Sequence, residues 1–71
     1  MEVQEQNKIV NISKFVGYNY ECYINPNYLS RIFKSKYDAN YVIDVAGQVI
    51  SLYNVESKEQ LNKFLDYIYA R

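Results

Sequence analysis

Among the side chains that could do acid–base or nucleophilic chemistry, this sequence has scattered carboxylates and a single cysteine, alongside serines, lysines and tyrosines. Histidine, the usual general base near neutral pH, is absent, and the two glycines are too far apart to form a phosphate-binding loop. Beyond Glu2 and Glu5 near the N-terminus, the carboxylates lie singly along the chain, at Glu21, Asp38, Asp44, Glu56, Glu59 and Asp66. We therefore predict a non-enzymatic protein without catalytic residues.

Cys22 is the single cysteine. One cysteine cannot form an intramolecular disulfide, and without histidine it cannot supply the ligands of a zinc site. We predict no metal and no cofactor. We also predict that Cys22 is a reduced packing residue that is dispensable for activity.

A short basic and aromatic segment, residues 28–41, could bind single-stranded nucleic acid, because bases stack on exposed aromatic rings while cations hold phosphates. Its candidate residues are Tyr28, Arg31, Phe33, Lys34, Lys36 and Tyr37. The competing interpretation is an ordinary solvated strand and loop. The net charge of zero favours that interpretation.

Tyrosine is unusually frequent, at nine of 71 residues. A core this small cannot enclose nine hydroxyl groups, so several rings must lie at the surface. Exposed tyrosines are enriched in binding surfaces. Packing around the core, together with a coding bias, would explain them equally well.

The elements that position these residues begin after a polar lead-in, residues 1–7. Strand-forming residues predict a strand from Lys8 to Phe15, and a second strand over 18–25. A two-residue turn at Gly17-Tyr18 would place Phe15 opposite Tyr20 and Lys14 opposite Glu21. A longer loop through Asn19 is the alternative.

The sequence Asn25-Pro26-Asn27 predicts a turn, with Asn25 extended before the proline. Residues 28–34 fit either a short strand or one helical turn, and we favour the strand. A loop is expected over 36–40.

The strongest local pattern is a hairpin, in which Tyr41–Ala46 and Val49–Tyr53 flank Gly47-Gln48. Glycine at the first central position indicates a type II′ turn. That turn would pair Val45 with Ile50, Asp44 with Ser51, Ile43 with Leu52, and Val42 with Tyr53. The face carrying Ile43, Val45, Ile50 and Leu52 is aliphatic and is predicted to be core.

The C-terminal helix is predicted over 57–70. Ser57 and Gln60 form a capping box, and Leu61, Phe64, Leu65 and Ile68 lie on one helix face. Packing this stripe on the aliphatic hairpin face gives two layers. The opposite sheet face then has no second helix to cover it, so we predict a protein-binding surface at Tyr53, Val42, Val49, Tyr20 and Tyr23.

Two segments resemble FlbD-like proteins, small accessory proteins of flagellar operons. The first is Ile24-Asn25-Pro26-Asn27-Tyr28-Leu29-Ser30-Arg31-Ile32. The second joins the Tyr41–Tyr53 hairpin to Val55-Glu56-Ser57 and to the helix with Leu61 and Phe64. The resemblance implies a regulatory protein without catalysis and supplies no site residues. The sequence departs from the family in lacking Asn-Gly-Lys turns and in its many tyrosines.

Together these patterns predict one α+β domain over residues 1–71. A small antiparallel, meander-like sheet of about four or five strands would span 8–53, with one C-terminal helix on one face. We expect a cytoplasmic, bacterial or phage-encoded protein, since no signal peptide or membrane span is evident. Its predicted function is protein binding, regulatory or inhibitory, with self-association as a homodimer. Single-stranded nucleic-acid binding and a structural self-assembling subunit are the alternatives.

Overall fold

The computed structural model describes residues 9–17 and 21–70. Five strands and two helices follow one another along the described chain. They are β1 (Val10–Asn11), α1 (Ser13–Val16), β2 (Tyr23–Ile24), β3 (Leu29–Lys34), β4 (Tyr41–Val45), β5 (Gln48–Leu52) and α2 (Lys58–Tyr69). The fold is α+β with antiparallel strands, as predicted. The strands form two sheets, β1-β2 and β3-β4-β5.

The core lies between α2 and one face of the three-stranded sheet, which we call the inner face. Leu61, Phe64 and Ile68 are the buried residues of α2. They pack in one cluster with residues of the hairpin and the N-terminal segment: Ile12, Val16, Ile24, Ile43, Val45, Leu52 and Val55. Burial of each such side chain contributes about 1.5–3 kcal/mol, so this cluster holds the domain together.

The N-terminal segment differs from the predicted strand over Lys8–Phe15. Residues Ser13–Val16 form one turn of α-helix instead. The Asn11 side chain accepts a hydrogen bond from the Ser13 N–H at 2.8 Å, which starts the turn. Gly17, at a φ of 92°, ends it in the left-handed conformation. The helix directs Phe15 onto the Phe64 ring, with the centroids 5.0 Å apart, and this tertiary contact outweighs strand propensity.

The predicted pairing around Gly17 is also wrong. Val10 pairs with Ile24 and Asn11 with Tyr23, and the Ile12 N–H donates to the Cys22 carbonyl at 2.8 Å. Lys14 and Phe15 lie in α1 and therefore cannot pair with a strand. The predicted partner of Phe15, Tyr20, lies outside the described residues.

The central segment agrees with the predictions. Asn25 is extended, at φ −103° and ψ 111°, and a 3-10 turn covers Pro26–Tyr28. Residues Leu29–Lys34 then form a strand, β3. A bulge at Ser30 separates the Leu29–Val45 pair from the Arg31–Asp44 pair.

The hairpin is present, but its turn lies one residue earlier than predicted. Ala46 and Gly47, with φ values of 52° and 82°, form the two-residue turn, as in a type I′ hairpin. Val45 therefore pairs with Gln48, Ile43 with Ile50, and Val42 with Ser51. The Ala46 N–H donates to the Tyr28 carbonyl at 3.1 Å, a tertiary contact that helps to hold alanine in a conformation it rarely adopts.

This correction leaves the predicted faces intact. Moving a two-residue turn by one position shifts each cross-strand partner by two positions, and side chains alternate with a period of two. Ile43, Val45 and Leu52 are buried, and Ile50 is half-buried against the same core. The four residues predicted to face the helix are confirmed in that position. The predicted Val42–Tyr53 pair is wrong, because Tyr53 follows the end of β5.

The C-terminal helix has the predicted capping box. The Ser57 hydroxyl accepts from the Gln60 N–H at 3.1 Å, and the Gln60 side chain accepts from the Ser57 N–H at 3.1 Å. The Glu56 N–H also donates to the Gln60 side chain, at 2.8 Å. Within the described chain, neither helix is long and apolar enough to cross a membrane.

Candidate functional site

The face of the β3–β5 sheet opposite α2, here the outer face, carries a hollow of about 590 Å³. We call it the outer hollow. It is lined by residues of all three strands and of the loop after β3: Arg31, Phe33, Lys34, Ser35, Lys36, Tyr37, Val42, Val49 and Ser51. It is the larger of two depressions that bring predicted site residues together.

Val42 is the buried member of the outer hollow. Its cross-strand neighbours are Phe33 on β3 and Ser51 on β5, and it is only 5% exposed. Val49, in contrast, is 62% exposed on the same face. Both residues therefore lie on the predicted sheet face, where Val42 is packed within the sheet and Val49 is open to solvent; their predicted role in protein binding stays a prediction.

The loop beside the hollow is held by its own hydrogen bonds. The Ser35 hydroxyl accepts from the N–H groups of Tyr37 and Asp38, at 3.2 and 3.1 Å, and the Ser35 N–H donates to the Asn40 carbonyl at 3.0 Å. Asn40 is buried, and its side-chain amide donates to the Tyr41 carbonyl. Tyr37 nevertheless remains 91% exposed at the rim. A fixed loop that presents an exposed ring is suited to binding.

The cations of the hollow differ in how far they are already engaged. The Arg31 Nε lies 3.4 Å from Asp44 Oδ2, and its guanidinium lies 4.8 Å from the Phe33 ring centroid. The Lys34 ammonium donates to the Glu56 carbonyl at 3.1 Å and lies 4.8 Å from the Tyr41 ring centroid. Lys36 is exposed in the loop. The hollow therefore has a positive rim in which Arg31 is already balanced by a carboxylate.

A second depression of about 390 Å³ runs along β5, and we call it the edge groove. It is lined by strand residues together with two residues at β2: Cys22, Tyr23, Gln48, Val49, Ile50, Ser51 and Tyr53. Tyr23 and Tyr53 are 52% and 40% exposed. Both contribute aromatic surface beside an open strand edge.

The five residues of the predicted protein-binding surface are thus divided. Val42 and Val49 belong to the outer hollow, whereas Tyr23, Tyr53 and again Val49 belong to the edge groove. Tyr20 lies outside the described residues. The six residues of the predicted nucleic-acid segment are less divided: all of them except Tyr28 line the outer hollow.

Some tyrosines have structural roles instead. The Tyr67 hydroxyl donates to the Asn11 carbonyl at 2.9 Å, and the Tyr67 ring packs 5.3 Å from that of Phe15, with the Lys14 ammonium 4.5 Å from its centroid. This tyrosine therefore ties α2 to the N-terminal segment. Tyrosine content alone does not distinguish such a ring from Tyr37.

Two groups of the edge groove have a shifted pKa. Burial raises the pKa of the Cys22 thiol above its ordinary value, which disfavours the thiolate and makes Cys22 a weak nucleophile. The pKa of Tyr23 is raised by a hydrogen bond to Glu21 and by the charge of that carboxylate. Both groups are therefore neutral near pH 7.

Sequence reasoning missed Ser35 and Ser51 as residues of the outer hollow. Neither has a side chain that signals binding, and only the folded sheet brings the β3 loop close to β5. Within the described ranges, no three His, Cys, Asp or Glu side chains form a group that could hold a metal ion. Comparison of the chain with known protein families, with curated proteins and with solved structures finds no match.

Proposed function

We propose that this chain is a small non-enzymatic protein-binding module, regulatory or inhibitory, that self-associates and binds a partner protein at the outer hollow. The observation that carries the proposal is Val49, which is 62% exposed beside the hollow on the outer face. The core cluster that contains α2 includes no outer-face residue of the β3–β5 sheet, so α2 lies on the other face. An exposed apolar residue in a concave, partly aromatic surface is typical of a binding site.

The chemistry of the hollow indicates the kind of partner segment. Phe33 and Val49 offer an apolar interior, and Lys36 and Arg31 place positive charge at its rim. A complementary segment would insert an apolar side chain between Phe33 and Val49, with a carboxylate near Lys36. An accessory role of this kind agrees with the resemblance to FlbD-like proteins and with a bacterial or phage-encoded, cytoplasmic protein.

Affinity capture with matched variants tests the proposal. Val49→Gln fills the hollow with a polar side chain, while Ile9→Gln changes a residue of nearly equal exposure, 61%, outside both depressions. A protein captured from the encoding cells by the wild-type chain and by Ile9→Gln should be lost with Val49→Gln. Titration of that purified protein should show the same order of affinity.

Retention of every captured protein by Val49→Gln would contradict binding at the outer hollow. Lys36→Glu adds a charge test in the same assay. It should weaken a partner that presents a carboxylate, and the weakening should fade at high salt.

A second candidate is weak binding of single-stranded nucleic acid. It is favoured by the meeting of five predicted residues around the hollow, Arg31, Phe33, Lys34, Lys36 and Tyr37. Against it, Asp44 faces Arg31, and the Lys34 ammonium is bound to a backbone carbonyl. Anisotropy of a labelled oligonucleotide decides between the two: affinity should fall steeply with salt and with Tyr37→Ala if this candidate is correct.

A further inference from the structure

The two outer edges of the β3-β4-β5 sheet differ in how well they are protected against pairing with another strand. The β3 edge has a bulge at Ser30 and carries Arg31 and Lys34. Charges and bulges are the usual devices that prevent strand addition. The β5 edge, Gln48–Leu52, has no charge, no proline and no bulge.

The hydrogen-bonding pattern shows which backbone groups the β5 edge presents. In a hairpin with a two-residue turn, the pair next to the turn is hydrogen-bonded and the pairs then alternate. Val45–Gln48 and Ile43–Ile50 are therefore bonded pairs, so the N–H and C=O groups of Val49 and Ser51 point away from β4. Among the described residues, no strand pairs with that side of β5.

The edge groove is lined by residues 48–51, so it opens beside this stretch of β5, while α1 contacts the same strand. Its walls include Cys22 and Tyr23 at β2, with Tyr53 at the end of β5. An added strand would therefore gain backbone hydrogen bonds from Val49 and Ser51 and side-chain contacts from the two tyrosines.

We propose that β5 pairs antiparallel with β5 of a second copy of this chain, about a two-fold axis between the two Ile50 residues. Val49 of each copy then lies opposite Ser51 of the other. The backbone groups of these residues that point away from β4 form four N–H···O=C hydrogen bonds between the two copies. The Ile50 side chains meet at the axis as the non-hydrogen-bonded pair, in which side chains approach most closely. The result is one six-stranded sheet.

The lack of charge on β5 and the closed two-fold symmetry of a β5–β5 pair favour a second copy of the chain as the partner strand. β5 has no charged side chain, so antiparallel self-pairing brings no like charges together. Pairing of β5 with β3 of another copy would meet the bulge and the charges of Arg31 and Lys34, and it would propagate into a filament. The β5–β5 pair instead closes after two copies, and the edges of the resulting six-stranded sheet are the two protected β3 strands.

This inference rests on the self-association in the proposed function and does not depend on the partner at the outer hollow. The dimer places two outer hollows side by side across the axis, because Val49 of one copy neighbours Ser51 of the other. A bivalent partner would then bind more tightly than a monovalent one. A five-residue strand pair is a small interface, so we expect a dimer that dissociates in the micromolar range.

Backbone N-methylation tests the pairing without changing a side chain. Synthesis in two segments joined at Cys22 gives a chain with N-methyl-Ser51, which lacks the outward N–H on β5. The matched control is N-methyl-Lys34, which lacks an N–H group on the free side of β3. The Ser35 N–H donates to the Asn40 carbonyl, on the β4 side of the strand. Because N–H groups alternate in direction along a strand, the Lys34 N–H points away from β4. Ser51→Pro is the recombinant equivalent of the first variant.

Sedimentation equilibrium should give the wild-type chain a mass of twice 8.5 kDa at high concentration. N-methyl-Ser51 removes two of the four bonds and should raise the dissociation constant by at least about tenfold, while N-methyl-Lys34 should leave it unchanged. Circular dichroism checks that each variant is folded. A wild-type monomer across the range, or a dimer that persists with N-methyl-Ser51, would overturn the β5 pairing.

The variants also separate the two proposals. Lys36→Glu lies in the outer hollow and outside both β5 and the edge groove, so it should weaken binding of the partner protein and keep the dimer. N-methyl-Ser51 removes a hydrogen-bond donor of β5 and should lose the dimer. The opposite pattern would contradict both assignments.

Discussion

The two faces of the β3–β5 sheet carry apolar residues in different surroundings. On the inner face, Ile43, Val45 and Leu52 are at most 5% exposed beneath α2. On the outer face, Val42 is buried between its cross-strand neighbours, whereas Val49 is 62% exposed. A sheet with one solvated face usually alternates apolar and polar residues. Val49 thus departs from that alternation, and this exposed apolar side chain is the feature on which the proposed binding face rests.

The largest expected effect on the free energy of unfolding comes from comparing one substitution on the inner face with one on the outer face. Leu52→Ala removes a fully buried side chain beneath α2 and should lower the free energy of unfolding by about 2–5 kcal/mol, enough to unfold a domain of this size. Val49→Ala should change it by no more than about 0.5 kcal/mol. Urea denaturation followed by circular dichroism measures both. Similar losses for the two variants would contradict the assignment of the faces.

Val42→Ala sharpens the comparison within the outer face. Loss of two buried methyl groups should lower the free energy of unfolding by about 2 kcal/mol, less than Leu52→Ala and more than Val49→Ala. The same denaturation curves give the order. If Val42→Ala were as harmless as Val49→Ala, Val42 would be an exposed residue of the binding surface after all.

A smaller effect is expected at the cap of the helix that covers the inner face. Ser57→Ala removes the acceptor for the Gln60 N–H and should destabilise the domain by about 1 kcal/mol. Ser57→Asp preserves an acceptor and serves as the control. Hydrogen exchange of the first turn of α2 should accelerate only in the alanine variant, and equal rates in both variants would argue against the cap.

The smallest effect tests the position of the turn, which sets the cross-strand partners of β4 and β5. Ala46 adopts the left-handed conformation, at a φ of 52°, and asparagine before glycine is favoured at this position of a type I′ turn. Ala46→Asn should therefore stabilise the domain by about 0.5–1 kcal/mol. Thermal denaturation measures the gain. A turn at Gly47-Gln48 would give no gain from the same substitution.

The predictable parts of the fold are those with a local signal. The capping box at Ser57 and the apolar stripe of α2 are complete within a few residues, and the hairpin faces follow from alternation alone. The turn at Ala46-Gly47 was not predictable, because alanine rarely adopts a positive φ without a tertiary contact such as the Tyr28 carbonyl. Helix α1 was missed for a similar reason, since it depends on Phe15 meeting Phe64.

The candidate site was less predictable than the fold. Arg31, Phe33, Lys36 and Tyr37 could be grouped because they are close in sequence. Val49 and Ser51 join them only after β5 has paired in the observed register. The predicted contact of Tyr53 with Val42 was wrong because it depended on the position of the turn. A shift of the turn by one residue changes the cross-strand partners but leaves each side chain on the same face of the sheet.

The hydrogen bond from Tyr67 to Asn11 spans 56 residues of sequence, and that from the Asn54 side chain to the Lys14 carbonyl spans 40. The β4–β5 hairpin is local and can form in about 1–10 μs, and helix α2 faster still. Contacts between distant residues must wait for closure of long loops, which slows folding. We therefore expect the hairpin and α2 to meet first and the N-terminal segment to dock last, at Asn54 and Tyr67.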